Sequence, residues 1–180
     1  AFDTGAIDAG DMDVDGITDV VGASSDPGGD LLVWRAHVRD FSLIDEVVAL
    51  RAGPGETFSG IAVGDVTGDL RPDIAVVSEG SDSVGFVRGN GDLTFAAREF
   101  VAPFDAPSSV AAANLDGDPA LEIIVASNGG AEGRLAVYAK PSGQSGFTRT
   151  IIAATTAPCA EVAVGDVDDD GDLDLAVACR

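Results

Sequence analysis

Short apolar runs alternate with stretches of Asp and Gly along most of the 180-residue chain. Ile61-Ala62-Val63 and Ile74-Ala75-Val76-Val77 flank one polar segment, and residues 110–113 and Ile123-Ile124-Val125 flank the next. Val162-Ala163-Val164 and Leu175-Ala176-Val177 flank a third. Runs this short, bounded by turn formers, predict strands buried on both faces, with the polar segment as the turn of a β-hairpin. Two more strands are predicted after each of the first three hairpins: residues 31–37 and 41–50, 83–88 and 94–101, and 134–139 and 147–153. The middle pair is joined by the turn-like Gly89-Asn90-Gly91-Asp92. No long stretch has helical periodicity with caps. The longest weakly polar stretch, 151–165, is interrupted by Thr155, Thr156, Pro158 and Glu161, and no run approaches the roughly 18 apolar residues of a spanning helix.

The polar segments repeat in register. Numbered from the first oxygen-bearing residue, they run 11–19, 65–73, 114–122 and 166–174, with first positions spaced by 54, 49 and 52 residues. Positions 1, 3, 5 and 9 carry a side-chain oxygen in every segment: Asp11, Asp13, Asp15 and Asp19; Asp65, Thr67, Asp69 and Asp73; Asn114, Asp116, Asp118 and Glu122; Asp166, Asp168, Asp170 and Asp174. Such periodicity over about fifty residues, with four strands per unit, is the size of one β-propeller blade. The approximate units are 1–53, 54–103, 104–155 and an incomplete 156–180, within one repeat domain. The expected fold is all-β, with three full four-stranded antiparallel blades and a terminal hairpin.

These units resemble FG-GAP/VCBS repeats, the type that builds the integrin α-subunit propeller, whose hairpin loops read Asp-x-Asp/Asn-x-Asp-Gly-x-x-Asp. The likeness covers essentially the whole chain, with Val21-Gly22-Ala23-Ser24 and Gly85-Phe86 as weaker echoes of the namesake motifs. The resemblance implies calcium, up to four ions. The chemistry agrees: calcium takes six to eight oxygens, and alternate residues of a tight loop can aim at one centre. Position 7 would add a backbone carbonyl, from Ile17, Arg71, Ala120 and Asp172. An EF-hand is excluded, because its twelfth position needs Glu and these loops have Gly22, Val76, Val125 and Val177. Loops one and four carry four carboxylates each, with Gly16 and Gly171 at position 6, where the turn calls for positive φ. Loop two has Leu70 there and loop three Pro119, which cannot reach positive φ. Loop three is therefore expected to be weakest, and an Asp/Gly turn without metal is its alternative reading.

Composition sharpens this picture. The 31 acids against 10 bases give a net charge of −21, which disfavours nucleic acid and anionic membranes as partners. The acids are 24 Asp and 7 Glu, so they belong to loops rather than to a solvated helical face. Fourteen of the 31 occupy positions 1, 3, 5 and 9 of the four loops, and four calcium ions would bring the charge to −13. A catalytic reading has little support. The one histidine, His37, sits at a predicted strand end, and no nucleophile elbow, zinc motif or phosphate loop appears. Cys159 and Cys179 fall opposite each other in the last hairpin, so a cross-strand disulfide is expected, with two free thiols as the alternative. A disulfide and calcium loops both fit an extracellular or cell-surface setting.

Three units and a hairpin leave a propeller ring unfinished. Either further blades belong to the same longer chain, or open edges pair with other copies to form an oligomer or filament. The expected function is a non-enzymatic, calcium-stabilised module for assembly or adhesion. The alternative is a glycan- or protein-binding accessory module of a larger exported protein or enzyme.

Overall fold

A computed structural model describes residues 4–26, 28–36, 43–51, 53, 56–129, 134–141 and 144–180. These residues form fourteen strands and no helix. The first sheet comprises β1 (Thr4–Gly10), β2 (Asp19–Ser24), β3 (Leu31–Ala36) and β4 (Leu43–Leu50). The second comprises β5 (Phe58–Gly64), β6 (Asp73–Ser78), β7 (Ser83–Val87) and β8 (Glu99–Pro103), and the third β9 (Pro107–Ala113), β10 (Glu122–Ser127), β11 (Arg134–Ala139) and β12 (Thr148–Ala154). A hairpin of β13 (Cys159–Gly165) and β14 (Asp174–Cys179) completes the series. Every sheet is an antiparallel meander in chain order. The expected all-β architecture of blade-like repeats is what forms, and the array is open rather than closed.

One register closes all four acidic hairpins: Gly10 faces Asp19, Gly64 faces Asp73, Ala113 faces Glu122 and Gly165 faces Asp174. The central strands explain why the apolar runs lack alternation. In the second and third sheets these strands are covered on both faces by neighbouring sheets, so β6 and β10 are buried at every residue. Ile61, Ile74 and Val76 of the second sheet pack with Val21, Ala23, Leu31 and Val33 of the first. Val110, Ile123 and Val125 repeat that contact on Ala75, Val77, Val84 and Phe86, and Val162 repeats it on Ile124, Ala126, Leu135 and Val137. Full burial of such side chains is worth about 1.5–3 kcal/mol each. Tyr138, Phe58, Phe86 and Phe104 serve packing too, with Phe104 and Tyr138 edge to face at 6.2 Å.

The first strands of successive sheets run side by side, and serines stitch them. Ser59 Oγ donates to the Pro107 carbonyl at 2.5 Å, and Ser108 Oγ, one repeat later, to the Cys159 carbonyl at 2.6 Å. A Cβ on Gly60 would stand 3.2 Å from the Val110 nitrogen, so glycine suits this close approach.

Three sequence expectations need correction. The strand placed at 94–101 is β8, Glu99–Pro103. The segment before it forms a small second hairpin in which the Asn90 amide donates to the Thr94 carbonyl at 3.0 Å and Gly89 pairs with Phe95. Asp92 causes this, because its carboxylate captures the Thr94 amide (3.0 Å) and hydroxyl (2.5 Å) and turns the chain there. The tetrapeptide 89–92 therefore does not join β7 directly to β8. The strand placed at 147–153 is shifted by one residue to Thr148–Ala154. β4 begins at Leu43, and residues 37–42, with His37 and Phe41, lie outside the described residues. Cys159 and Cys179 are opposed across β13 and β14 and form a disulfide, Cα–Cα 4.0 Å.

Candidate metal centre

The four acidic loops fold themselves with their own carboxylates. Position 5 is used identically in all of them: its side chain accepts the amide of position 7. Ile17 donates to Asp15, Arg71 to Asp69, Ala120 to Asp118 and Asp172 to Asp170, all within 2.8–3.0 Å. These are the residues whose carbonyls were expected as ligands, so position 7 is held against position 5 in every loop.

Position 1 gathers the amides that follow it. Asp11 accepts from Asp15 (3.0 Å) and Gly16 (2.8 Å), and Asp166 from Asp170 (3.2 Å) and Gly171 (2.9 Å). Asp65 accepts from Gly68 (2.7 Å), Asp69 (3.0 Å) and Leu70 (2.6 Å). Asn114 accepts from Gly117 at 2.6 Å and gives its own amide to the Asp118 carbonyl at 2.7 Å. Position 9 closes the loop. Asp19 accepts from Met12 (2.9 Å), Glu122 from Leu115 (2.6 Å) and Asp174 from Val167 (2.9 Å), while Asp73 accepts from Thr67 (3.1 Å). Asp19 and Asp73 also take an amide from the third strand side, Ala36 at 3.0 Å and Gly89 at 3.1 Å.

This wrapping needs left-handed backbone at two places. Gly16 (φ 87°) and Gly171 (φ 94°) adopt it at position 6, as the sequence suggested, and so does Leu70 (φ 68°). Position 4 does the same in all four loops, through Val14 (φ 58°), Gly68, Gly117 and Asp169. No residue type marks position 4, so the sequence did not reveal it. A β-branched residue such as Val14 is rarely held there.

Three loops bring carboxylates together. Asp11, Asp13 and Asp15 each offer an oxygen within 4.8 Å of the others, as do Asp116, Asp118 and Glu122, and Asp166, Asp168 and Asp174. Asp19 and Asp170 stand outside their loops' clusters, engaged with backbone amides. Loop two gathers no such triad among the described residues, with Thr67 at its third position. The donor sets suit a hard, oxygen-seeking cation. Loop one carries the sharpest sign of fit: Asp13 Oδ1 is buried without a hydrogen-bond partner, beside two other carboxylates. Asp13, Asp15 and Asp11 would hold such a cation there.

Burial tells the same story electrostatically. It raises the Asp13 carboxyl above its ordinary value, against the opposing pull of Arg35. It likewise raises Glu122, against the Leu115 amide, and Asp73 to about 6, against the Gly89 and Thr67 hydrogen bonds. A divalent cation reverses that preference for the proton.

Two basic residues enter unannounced. Arg35 of β3 meets Asp13 Oδ2 at 2.7 Å and Asp15 Oδ2 at 3.1 Å. The available signal was Arg88, which occupies the same strand slot in the second repeat. Lys140, just past β11, donates to the Thr67 carbonyl at 3.1 Å and ties loop two to the third sheet.

No curated protein matches the chain closely enough to count as a relative. The FG-GAP-like repeat pattern matches it three times, over residues 11–76, 65–125 and 114–177. Each match starts at position 1 of an acidic loop and runs through the hairpin of the next. With residues 11–177 covered, the chain belongs to the FG-GAP-like repeat family.

Proposed function

We propose that this chain is a calcium-stabilised, non-enzymatic repeat module of the extracellular space or cell surface, working in assembly or adhesion. The observation that carries the metal reading is the partnerless Asp13 Oδ1 inside the Asp11, Asp13 and Asp15 cluster. Several carboxylates within 4.8 Å repel one another, and an ion bound to the folded state adds stability by mass action. The Cys159–Cys179 disulfide fits an oxidising compartment. The loop carboxylates are either engaged in backbone hydrogen bonds or gathered in the acidic clusters, which favours a structural role over a catalytic one.

Calorimetric titration of EDTA-stripped protein tests the reading. Calcium should bind at more than one site and raise the melting temperature, and magnesium should do so much less, because magnesium demands near-ideal octahedral geometry and gives up its waters reluctantly. Identical melts in EDTA and in calcium would refute it.

A further inference from the structure

The acidic loops differ in what the third strand of their own sheet sets against them. Strand pairing places Trp34 opposite Val20, Val87 opposite Ile74 and Tyr138 opposite Ile123. One residue further on, Arg35, Arg88 and Ala139 come level with Asp19, Asp73 and Glu122, the ninth positions of loops one, two and three. The following residues keep that alignment, since the Ala36 and Gly89 amides each donate to the ninth carboxylate of their own loop. One slot thus holds three different side chains. Ala139 brings no charge to loop three, and Arg88 pairs with Glu99 of β8 at 3.4 Å. Arg35 alone of the three is set on the acids of its loop.

Arg35 bridges two carboxylates of the loop-one cluster. Its Nε lies 2.7 Å from Asp13 Oδ2, and its Nη2 donates to Asp15 Oδ2 at 3.1 Å. The other Asp15 oxygen accepts the Ile17 amide, and both Asp11 oxygens accept amides. Asp13 Oδ1 is left over, buried without a hydrogen-bond partner on a side chain only 9% exposed. The arginine is held loosely in return. Its Nε makes no aligned hydrogen bond despite the short distance, and its side chain is 35% exposed, with water to move into. A planar guanidinium can neutralise such a cluster, but it cannot collect three carboxylates around one point as a small divalent cation does.

We propose that Arg35 is a built-in competitor for the cation site of loop one, holding Asp13 and Asp15 in the ion-free fold and giving them up in exchange for calcium. This rests on the calcium reading above and adds the regulation of one of its sites. Both cations claim the same oxygens, so by linkage each weakens the other's hold by the same factor. Loop one, with four carboxylates, therefore fills at higher calcium than loop three, which has three and no arginine.

Calorimetric calcium titration of Arg35→Gln, beside Arg35→Lys, tests the exchange. In the glutamine variant one site should tighten at least about tenfold, or about 1.4 kcal/mol. The lysine variant keeps the charge and should stay close to the parent, which a purely structural role for Arg35 does not predict. Adding Asp13→Asn to Arg35→Gln should abolish the tightened site, whereas adding Asp118→Asn should spare it. The parent chain supplies a second reading that needs no variant to fold: the Arg35 Nε resonance should move as the weaker site fills and stay still as the tighter one does. Equal or weaker calcium binding by Arg35→Gln, or an Arg35 resonance that moves with the tighter site, overturns the exchange and leaves the calcium reading standing. A parent and an Arg35→Gln variant that both bind no calcium overturn the calcium reading itself, and the exchange with it.

Discussion

Replacing Asp13 by Asn should change stability in opposite directions with and without calcium. The ligand oxygens of Asp11, Asp13 and Asp15 lie within 4.8 Å of one another. At an effective dielectric of about 20 each such pair repels by about 3.5 kcal/mol, and by about 1 kcal/mol in bulk water. Arg35 offsets part of this, yet burial still raises the Asp13 carboxyl, so the charged form is a net liability in the ion-free fold. Asn keeps the shape and removes the charge, and the expected gain in EDTA is about 1 kcal/mol, or about 2–4 °C in melting temperature for a chain of this size. In calcium the sign reverses. A site held at a hundredfold excess over its Kd contributes about 2.7 kcal/mol, and one weakened roughly thirtyfold keeps only about 0.9 kcal/mol. The variant should therefore melt above the parent in EDTA and below it in calcium by scanning calorimetry. An equal loss in both buffers would refute the reasoning and make Asp13 a structural partner of Arg35.

Leu70→Gly should stabilise the protein by about 1 kcal/mol in urea unfolding, because Leu70 is 83% exposed at φ 68° and gives up strain without losing packing. Reducing the Cys159–Cys179 bond, which closes a 20-residue separation, should cost about 3 kcal/mol by the chain-entropy relation, read as a lower melting temperature of the Cys159→Ser, Cys179→Ser double variant. Asp73, raised to about 6 by burial, binds its proton more tightly in the native fold than in the unfolded chain. Its stabilising share is complete below the ordinary value of 3.8 and is lost as pH rises through about 6, so melts in EDTA should rise from pH 7 to pH 5 and Asp73→Asn should flatten that rise. Asp118→Asn should remove one calcium ion from the titrated stoichiometry, while Asp69→Asn should leave the number unchanged.

The hairpins were the most legible part of the chain, because their signal is doubled. Apolar runs such as Ile74-Ala75-Val76-Val77 lack alternation when both faces are covered, and the acids between them recur at fixed spacing. The innermost strand of the first sheet was harder. β1 reads Thr4-Gly5-Ala6-Ile7-Asp8-Ala9-Gly10, with Asp8 inside it, yet that carboxylate accepts the Val63 amide at 2.7 Å and belongs to the junction with the next sheet. The start of β8 was misplaced because Phe95 and Thr94 look like strand residues, and only the Asp92 hydrogen bonds show the chain turning first. Lys140 was not legible as a loop partner, since the contact that brings it there spans 73 residues.

The order expected among the loops also changes once each oxygen is followed to its partner. In the sequence loops two and three carry three carboxylates each, and Asn114 first, Pro119 sixth and Glu122 last made loop three the weakest. In the fold Asn114 does the work of position 1 by holding Gly117 and Asp118, and no charge is needed for that. Glu122 takes the Leu115 amide on Oε2 and still joins Asp116 and Asp118 in a cluster, as Asp174 does in loop four. Loop three thus keeps three converging carboxylates, as many as loops one and four. Loop two does not. Both oxygens of Asp65 and both of Asp73 are taken by backbone amides, Thr67 carries no charge, and the Lys140 ammonium sits on the Thr67 carbonyl. Its turn is already held by hydrogen bonds and a lysine from the neighbouring sheet, the conditions under which a bound ion adds least. Loop two is therefore the site where removing a carboxylate should leave the calcium count untouched.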